Sequence, residues 1–212
     1  MVTVRPARPE DRQACVDVLA SSPDFFTRET HDEARTGVAI SRPGAASGEV
    51  GATSDQAGMA SPQAEVAGGQ AGVAGGQAGV ASGQAGAARY RAWVAEDAGL
   101  VVGFVLAKIG YPATAEITYA AVRPERRGAG VGTRLVRRAL ADLAGDGAAL
   151  VEVKTLDALA GYEPYEATRA FWERRGFRQI DCIDPLPGWQ PGNPAAIYVA
   201  AVRPTTARDF SD

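Results

Sequence analysis

The sequence predicts a mixed α/β domain (α+β type) with a central, largely antiparallel sheet flanked by helices. Three observations carry that prediction. Short runs rich in β-formers, such as RYRAWVAE, LVVGFVLAKI, AEITYAAV and AAIYVAAV, alternate with stretches whose apolar residues fall at helical spacing. Two of those runs are joined only by DAG, a hairpin connection. The stretch PERRGAGVGT at 124–133 then places three glycines at alternating positions where a strand gives way to a helix.

In chain order, VTVRPA at 2–7 reads as a first strand. Pro9 to Leu19 reads as a helix, with Glu10 and Asp11 in its first turn and Ala14, Cys15, Val18 and Leu19 on one face. A second helical stretch is expected over 27–35. The hairpin RYRAWVAE–LVVGFVLAKI follows, and AEITYAAV makes a third central strand that stops at Arg123-Pro124, because the residue before proline is held extended. From about Gly130 a helix carries Val131, Leu135, Val136, Ala139, Leu140 and Leu143 on one stripe. ALVEVKTL is a strand. Pro164 starts a helix to Arg175, with Gly176 as its left-handed cap. RQIDCI and AAIYVAAV close the sheet.

One region reads differently. Residues 37–89 contain no aromatic residue and 13 of the chain's 25 glycines, with the unit GGQAGVA at 68–74 and 75–81 and SGQAGAA at 82–88. A period of seven suggests a coiled coil, but two or three glycines per unit cost a helix roughly 1 kcal/mol each. The stretch is expected to be a flexible insert in a single domain formed by 1–36 and 90–203, with 204–212 as a tail. A net charge of −3 gives no reason to expect nucleic acid or an anionic membrane. The two cysteines, Cys15 and Cys182, form no metal-binding or disulfide spacing, and no metal is expected. The first residues, MVTVRPARPEDRQ, lack an apolar run, so no signal peptide is expected, and no apolar segment approaches the ~18 residues of a membrane span. A cytoplasmic protein is the expectation.

The glycine loop fits a pyrophosphate site best. A dinucleotide fingerprint needs a third glycine where Thr133 stands, and a triphosphate loop needs a lysine that the stretch lacks. A tight turn without a ligand is the plainer alternative. Amides from Gly128 to Thr133 at a helix N-terminus are suited to hold a pyrophosphate.

Arg127-Gly128-Ala129-Gly130-Val131-Gly132 resembles the [Q/R]xxGx[G/A] motif of the GNAT (Gcn5-related) N-acetyltransferase superfamily. The preceding AAVRPE and the later ATRAFWERRGF resemble that superfamily's neighbouring segments, and the likeness spans about 1–36 and 90–203. KTLDALAGYEPYEATRAFWERRGF, with the Pro/Trp-rich loop after it, is similar to bacterial members of unassigned substrate. The resemblance implies a GNAT-like acyl-CoA N-acyltransferase fold. It also implies acetyl-CoA as acyl donor, without metal, and transfer to an amine of a small molecule or peptide. A catalytically silent acyl-CoA-binding module is the alternative, and sheet-edge homodimers are frequent in that superfamily. By the same resemblance the amides of Arg127, Gly128, Ala129, Gly130, Val131, Gly132 and Thr133 hold the pyrophosphate, and the backbone of Ala121 and Val122 pairs with the pantetheine arm. A backbone N–H near Val122 would stabilise the oxyanion.

Such transfer needs a base for the amine proton. Glu116, on the strand bordering the thioester, is the candidate; an exposed strand carboxylate is the blander reading. Glu152 is a weaker one. His31 reads as a surface helix residue that could border the acceptor pocket. Trp189, Asn193 and the prolines of DPLPGWQPGNP are candidate acceptor contacts. Many members carry a tyrosine, as thiolate proton donor, four residues before the glycine of the GF pair. Here that residue is Trp172, whose indole N–H is no useful acid. Trp172 is therefore expected to pack beside the thioester. Tyr165, where many members have asparagine, lies two helical turns away, roughly 10 Å, and does not simply replace that donor.

Overall fold

A computed structural model of the chain describes residues 1–26, 28–41 and 89–203. The elements are β1 (Thr3–Pro6), α1 (Arg12–Ala20), α2 (Arg28–Ile40), β2 (Arg89–Asp97), β3 (Leu100–Tyr111), β4 (Thr114–Val122), α3 (Val131–Gly145), β5 (Leu150–Leu156), α4 (Glu166–Glu173), β6 (Arg178–Ile183) and β7 (Ala195–Ala201). They form one seven-stranded sheet in the order β1-β2-β3-β4-β5-β7-β6. Every neighbouring pair is antiparallel except β4 and β5.

Local chemistry explains the connections. Ala98 and Gly99 both have positive φ, 51° and 82°, the requirement of a two-residue turn that matches strand twist, so β2 and β3 form the expected hairpin. The apolar stripe of α3 lies on the sheet, with Val131, Leu135, Val136, Ala139 and Leu143 in the core beside Trp93, Val105 and Val153. On the other face α1 and α2 cover a second core of Cys15, Val18, Leu19, Val38, Phe104 and Leu106. Burial of Cys15 pushes its thiol pKa up to about 12, so it stays a neutral packing residue.

The second helix corrects one expected boundary. It continues to Ile40, five residues beyond 35, and Val38 is fully buried. Gly37 lies so close to β3 that a Cβ there would stand 2.6 Å from Leu106 Cδ2, in a side chain itself fully buried. Residues 37–40 therefore belong to the folded domain, as does Arg89, which opens β2. The rest of the expected insert, 42–88, and the tail, 204–212, lie outside the described residues.

A polar clasp fixes β1. Arg5 donates to both Asp11 carboxylate oxygens, at 2.7 and 2.9 Å, and to Glu96 on β2 at 2.9 Å. Asp11 also accepts from the Arg8 amide at 2.8 Å. The bond from Arg5 holds the Asp11 carboxyl below its usual pKa, against the opposing effect of burial. A depressed carboxylate pKa adds stability above the unfolded value, ~4, which disappears as pH falls through the folded value. Asp11→Asn should thus cost about 1–3 kcal/mol at neutral pH. Urea unfolding at pH 7 and pH 3 should show the gap between variant and wild type narrowing at the lower pH.

Candidate active site

The site lies where two central strands part. β4 and β5 pair in parallel only from Thr114↔Leu150 to Ile117↔Val153, although β4 runs on to Val122 and β5 to Leu156. Beyond Ile117 the two diverge around a cleft of about 580 Å³, closed by α4, by the glycine loop and by Phe25 and Phe26 ahead of α2.

A β-bulge shapes its inner wall. β3 pairs Ala107 with Ile117 and Leu106 with Tyr119, leaving Thr118 as an extra residue. Because side chains alternate across a strand, one extra residue reverses the faces that follow. Ala115 and Ile117 accordingly pack under α3, whereas Tyr119 and Ala121 pack under α1 and α2. The backbone alternates as well. Arg123 donates to Val102 O at 2.9 Å across β3, which turns the groups of Ala121 and Tyr119 toward β3 and those of Ala120 and Val122 toward the cleft. Of the expected pair, Val122 faces the opening. Ala121 also lines the cleft but turns its backbone groups toward β3, and Ala120 offers its own to the opening instead.

The glycine loop closes one end. Gly128 and Gly130 both have φ near +77°, and Gly130 precedes α3 in the left-handed conformation without a side-chain cap. Among the described residues a Cβ on either would meet nothing within 4 Å, so backbone conformation, not crowding, calls for glycine. Among the described residues no acceptor meets the amides from Gly128 to Thr133. They converge at the positive end of the α3 dipole. Arg126, Arg127, Arg174 and Arg175 surround this end. Arg126 pairs with Asp97 at 2.9 Å. Arg127 reaches across to Ser22 Oγ at 2.5 Å and donates to Val122 O at 3.1 Å. Arg175 donates to Thr133 Oγ1 and stacks on the Phe171 ring, 3.4 Å from its centroid.

Comparison with known proteins matches this geometry to a family. The model of the acetyltransferase (GNAT) domain matches residues 88–179, which hold the parted strands and the loop. Over that segment the chain carries a GNAT-superfamily domain.

Solved structures share the fold of this GNAT domain. A GNAT-family acetyltransferase from Desulfovibrio desulfuricans aligns over 95% of this chain and 99% of its own, with TM-score 0.64 and 21% identity. The ribosomal-protein-S18-alanine N-acetyltransferase of Escherichia coli aligns over 100% of both chains, with TM-score 0.59 and 14% identity. An aminoglycoside 6'-N-acetyltransferase complexed with coenzyme A aligns over 96% of this chain and 99% of its own, with TM-score 0.59 and 16% identity. At such identities the likeness is one of fold. No curated protein matches the chain by sequence.

The residues of the cleft fit a phosphopantetheine ligand. Thr118 Oγ1 and Thr155 Oγ1, one on each parting strand, are buried without a partner among the described residues, and Thr155 is 2% exposed. An unmatched buried hydroxyl costs roughly 1–3 kcal/mol, a cost that an amide-bearing ligand between the strands would remove. The bare loop amides and the surrounding arginines suit its phosphates.

The carboxylates singled out in the sequence lie at the closed base of this GNAT cleft. Glu116 and Glu152 are register partners in the paired half of β4 and β5. Lys154 Nζ sits 2.7 Å from each. Burial would lower the Lys154 pKa, but the two carboxylates outweigh it and hold it raised. Lys154 lines the cleft, whereas Glu116 does not. Trp172 does line it; it is buried, with edge-on contacts to Phe171 and Phe177 at ring distances of 5.1 Å. Tyr165, the residue that precedes α4, lines it as well, 5.2 Å from the Phe25 ring. His31, Trp189 and Asn193 are not part of the lining.

Two residues that the sequence left unmarked meet beside the cleft. Tyr119 lines it and donates its hydroxyl hydrogen to Glu33 Oε2 on α2. Neither stood out, because the bulge that turns Tyr119 toward α2 has no local signature in AEITYAAV.

Proposed function

We propose that this domain moves an acetyl group from acetyl-CoA to an amine of a small molecule or peptide by direct attack. The observation that carries the reading is the parting of β4 and β5 beside a helix N-terminus whose amides meet no acceptor among the described residues. On this reading the amides from Gly128 to Thr133 hold the pyrophosphate, and the backbone of Ala120 and Val122 pairs with the pantetheine arm. The thioester supplies an acyl carbon open to attack by an unprotonated amine. Trp172 shapes the thioester end, and Phe25, Phe26, Tyr119 and Tyr165 enclose the space from which the amine approaches. Holding the two reactants in line can supply up to roughly 7–11 kcal/mol.

The test is a transfer screen with acetyl-CoA against amino acids, polyamines, aminoglycosides and peptides with alanine N-termini. The structural neighbours named for a protein alanine and for an aminoglycoside motivate the last two groups. Acetylated product with matching thiol release is expected for at least one class. Coenzyme A binding without transfer to any class would replace this reading by a silent binding module.

A further inference from the structure

Glu33 comes within hydrogen-bond reach of the cleft through one side chain. It projects from α2 onto the face of the sheet that the Thr118 bulge has exposed to Tyr119, and it accepts the Tyr119 hydroxyl hydrogen. Glu116, two residues before the bulge, is held by Lys154 at 2.7 Å in the paired half of the strands. The carboxylate coupled to the open half is therefore Glu33.

We propose that Glu33 and Tyr119 form the proton-accepting pair of the transfer reaction, Tyr119 meeting the acceptor amine and Glu33 acting through it as its positioning residue and proton store. This rests on the acetyltransferase reading above. In the step, an N–H bond of the protonated amine breaks as its proton passes to the Tyr119 oxygen, and Tyr119 gives its own hydroxyl hydrogen to Glu33. The electron pair freed on nitrogen forms the bond to the acyl carbon; the thioester C–S bond then breaks, and the departing thiolate takes the second nitrogen proton and leaves as coenzyme A thiol. The proton on Glu33 returns to solvent after release. Tyr119 ends unchanged, so the balance needs no further reactant.

The surroundings of Glu33 suit this role. Burial raises its pKa above the ordinary carboxylate value; the Tyr119 hydrogen bond and the charge of Lys108 on β3 oppose that rise, and Glu116 on β4 reinforces it. Tyr90 on β2 also faces it, and its own pKa is raised by burial first and then by Glu33 and Glu116. On α2, Asp32 is taken up by Arg35 at 3.2 Å on the exposed side. A carboxylate poised nearer neutrality is a better proton acceptor than one at ~4.3. The basic form is the active one, so kcat/KM should rise with pH through an acid limb above the usual carboxylate range.

Two probe nucleophiles separate this role from a structural one. Butylamine is protonated at neutral pH and must lose a proton, whereas hydroxylamine is largely unprotonated already. Acetyl transfer to each would be followed from pH 5 to 9 for the full chain and for Glu33→Gln, Glu33→Asp, Tyr119→Phe and the Glu33→Gln/Tyr119→Phe double variant. Butylamine transfer should fall roughly 100-fold or more in Glu33→Gln and Tyr119→Phe, and no further in the double variant, since the two act as one unit. The acid limb should vanish in Glu33→Gln and return, shifted, in Glu33→Asp. Hydroxylamine transfer should fall less than about tenfold, because it needs little base assistance. Coenzyme A affinity by calorimetry should stay at the wild-type value. An acid limb that persists in Glu33→Gln, equal losses for the two nucleophiles, or wild-type transfer to butylamine no faster than the uncatalysed reaction would each overturn the proposal. Loss of coenzyme A binding by the wild type would instead overturn the donor-site reading on which it rests.

Discussion

Gly130→Glu should abolish measurable coenzyme A binding while the domain stays folded. The new side chain would leave the α3 N-terminus from a residue whose Cβ meets no atom of the described residues within 4 Å, so it enters the space in front of the loop amides. One negative charge about 4 Å from another costs about 4 kcal/mol at an effective dielectric of 20, roughly a thousandfold in affinity. The left-handed backbone at φ +77° adds about 1–2 kcal/mol of destabilisation for any L residue. Gly130→Ala shares that backbone cost without the charge, and calorimetry should find it much closer to wild type. Affinity retained in the glutamate variant would move the phosphate site elsewhere.

Trp172→Ala should be the most destabilising change in the cleft. The indole is 4% exposed and packs edge-on against Phe171 and Phe177 within the core under α3. Truncating such a side chain leaves a cavity and costs about 3–5 kcal/mol, which urea unfolding would measure. Trp172→Phe keeps an aromatic edge in place and should lose far less. It should also keep most of kcat. A coenzyme thiol has a pKa near that of free cysteine, ~8.5, so its thiolate leaves tolerably without a dedicated donor. A collapse of kcat in the phenylalanine variant, with folding and coenzyme A binding intact, would give the indole a chemical part in the reaction.

Much of the architecture was legible because several signals agreed. The stripe of α3, the DAG turn and the glycines at 128 and 130 each pointed to the element that forms. The limits fell where tertiary packing decides. Gly37 reads as a helix breaker, yet α2 runs through it, since a helix this close to Leu106 has no room for a Cβ. AEITYAAV reads as plain alternation, and only its register against β3 reveals Thr118 as an extra residue. That residue decides that Ala120, not Ala121, turns its backbone to the cleft. It also brings Tyr119 to Glu33. A strand carboxylate such as Glu116 is visible in sequence, but the lysine across the pair that holds it is not. Sequence order likewise conceals that β5 lies parallel to β4, the one pairing that permits the two to part.

The most direct measurement follows backbone amides in an isotope-labelled sample titrated with coenzyme A. The expected result is a concerted shift of Gly128, Gly130, Val131, Gly132 and Thr133 together with Ala120 and Val122, saturating at one equivalent. Amides of Gly128 to Thr133 that remain unmoved while others shift, or a sample unchanged by coenzyme A, would contradict the assignment of this cleft as the donor site.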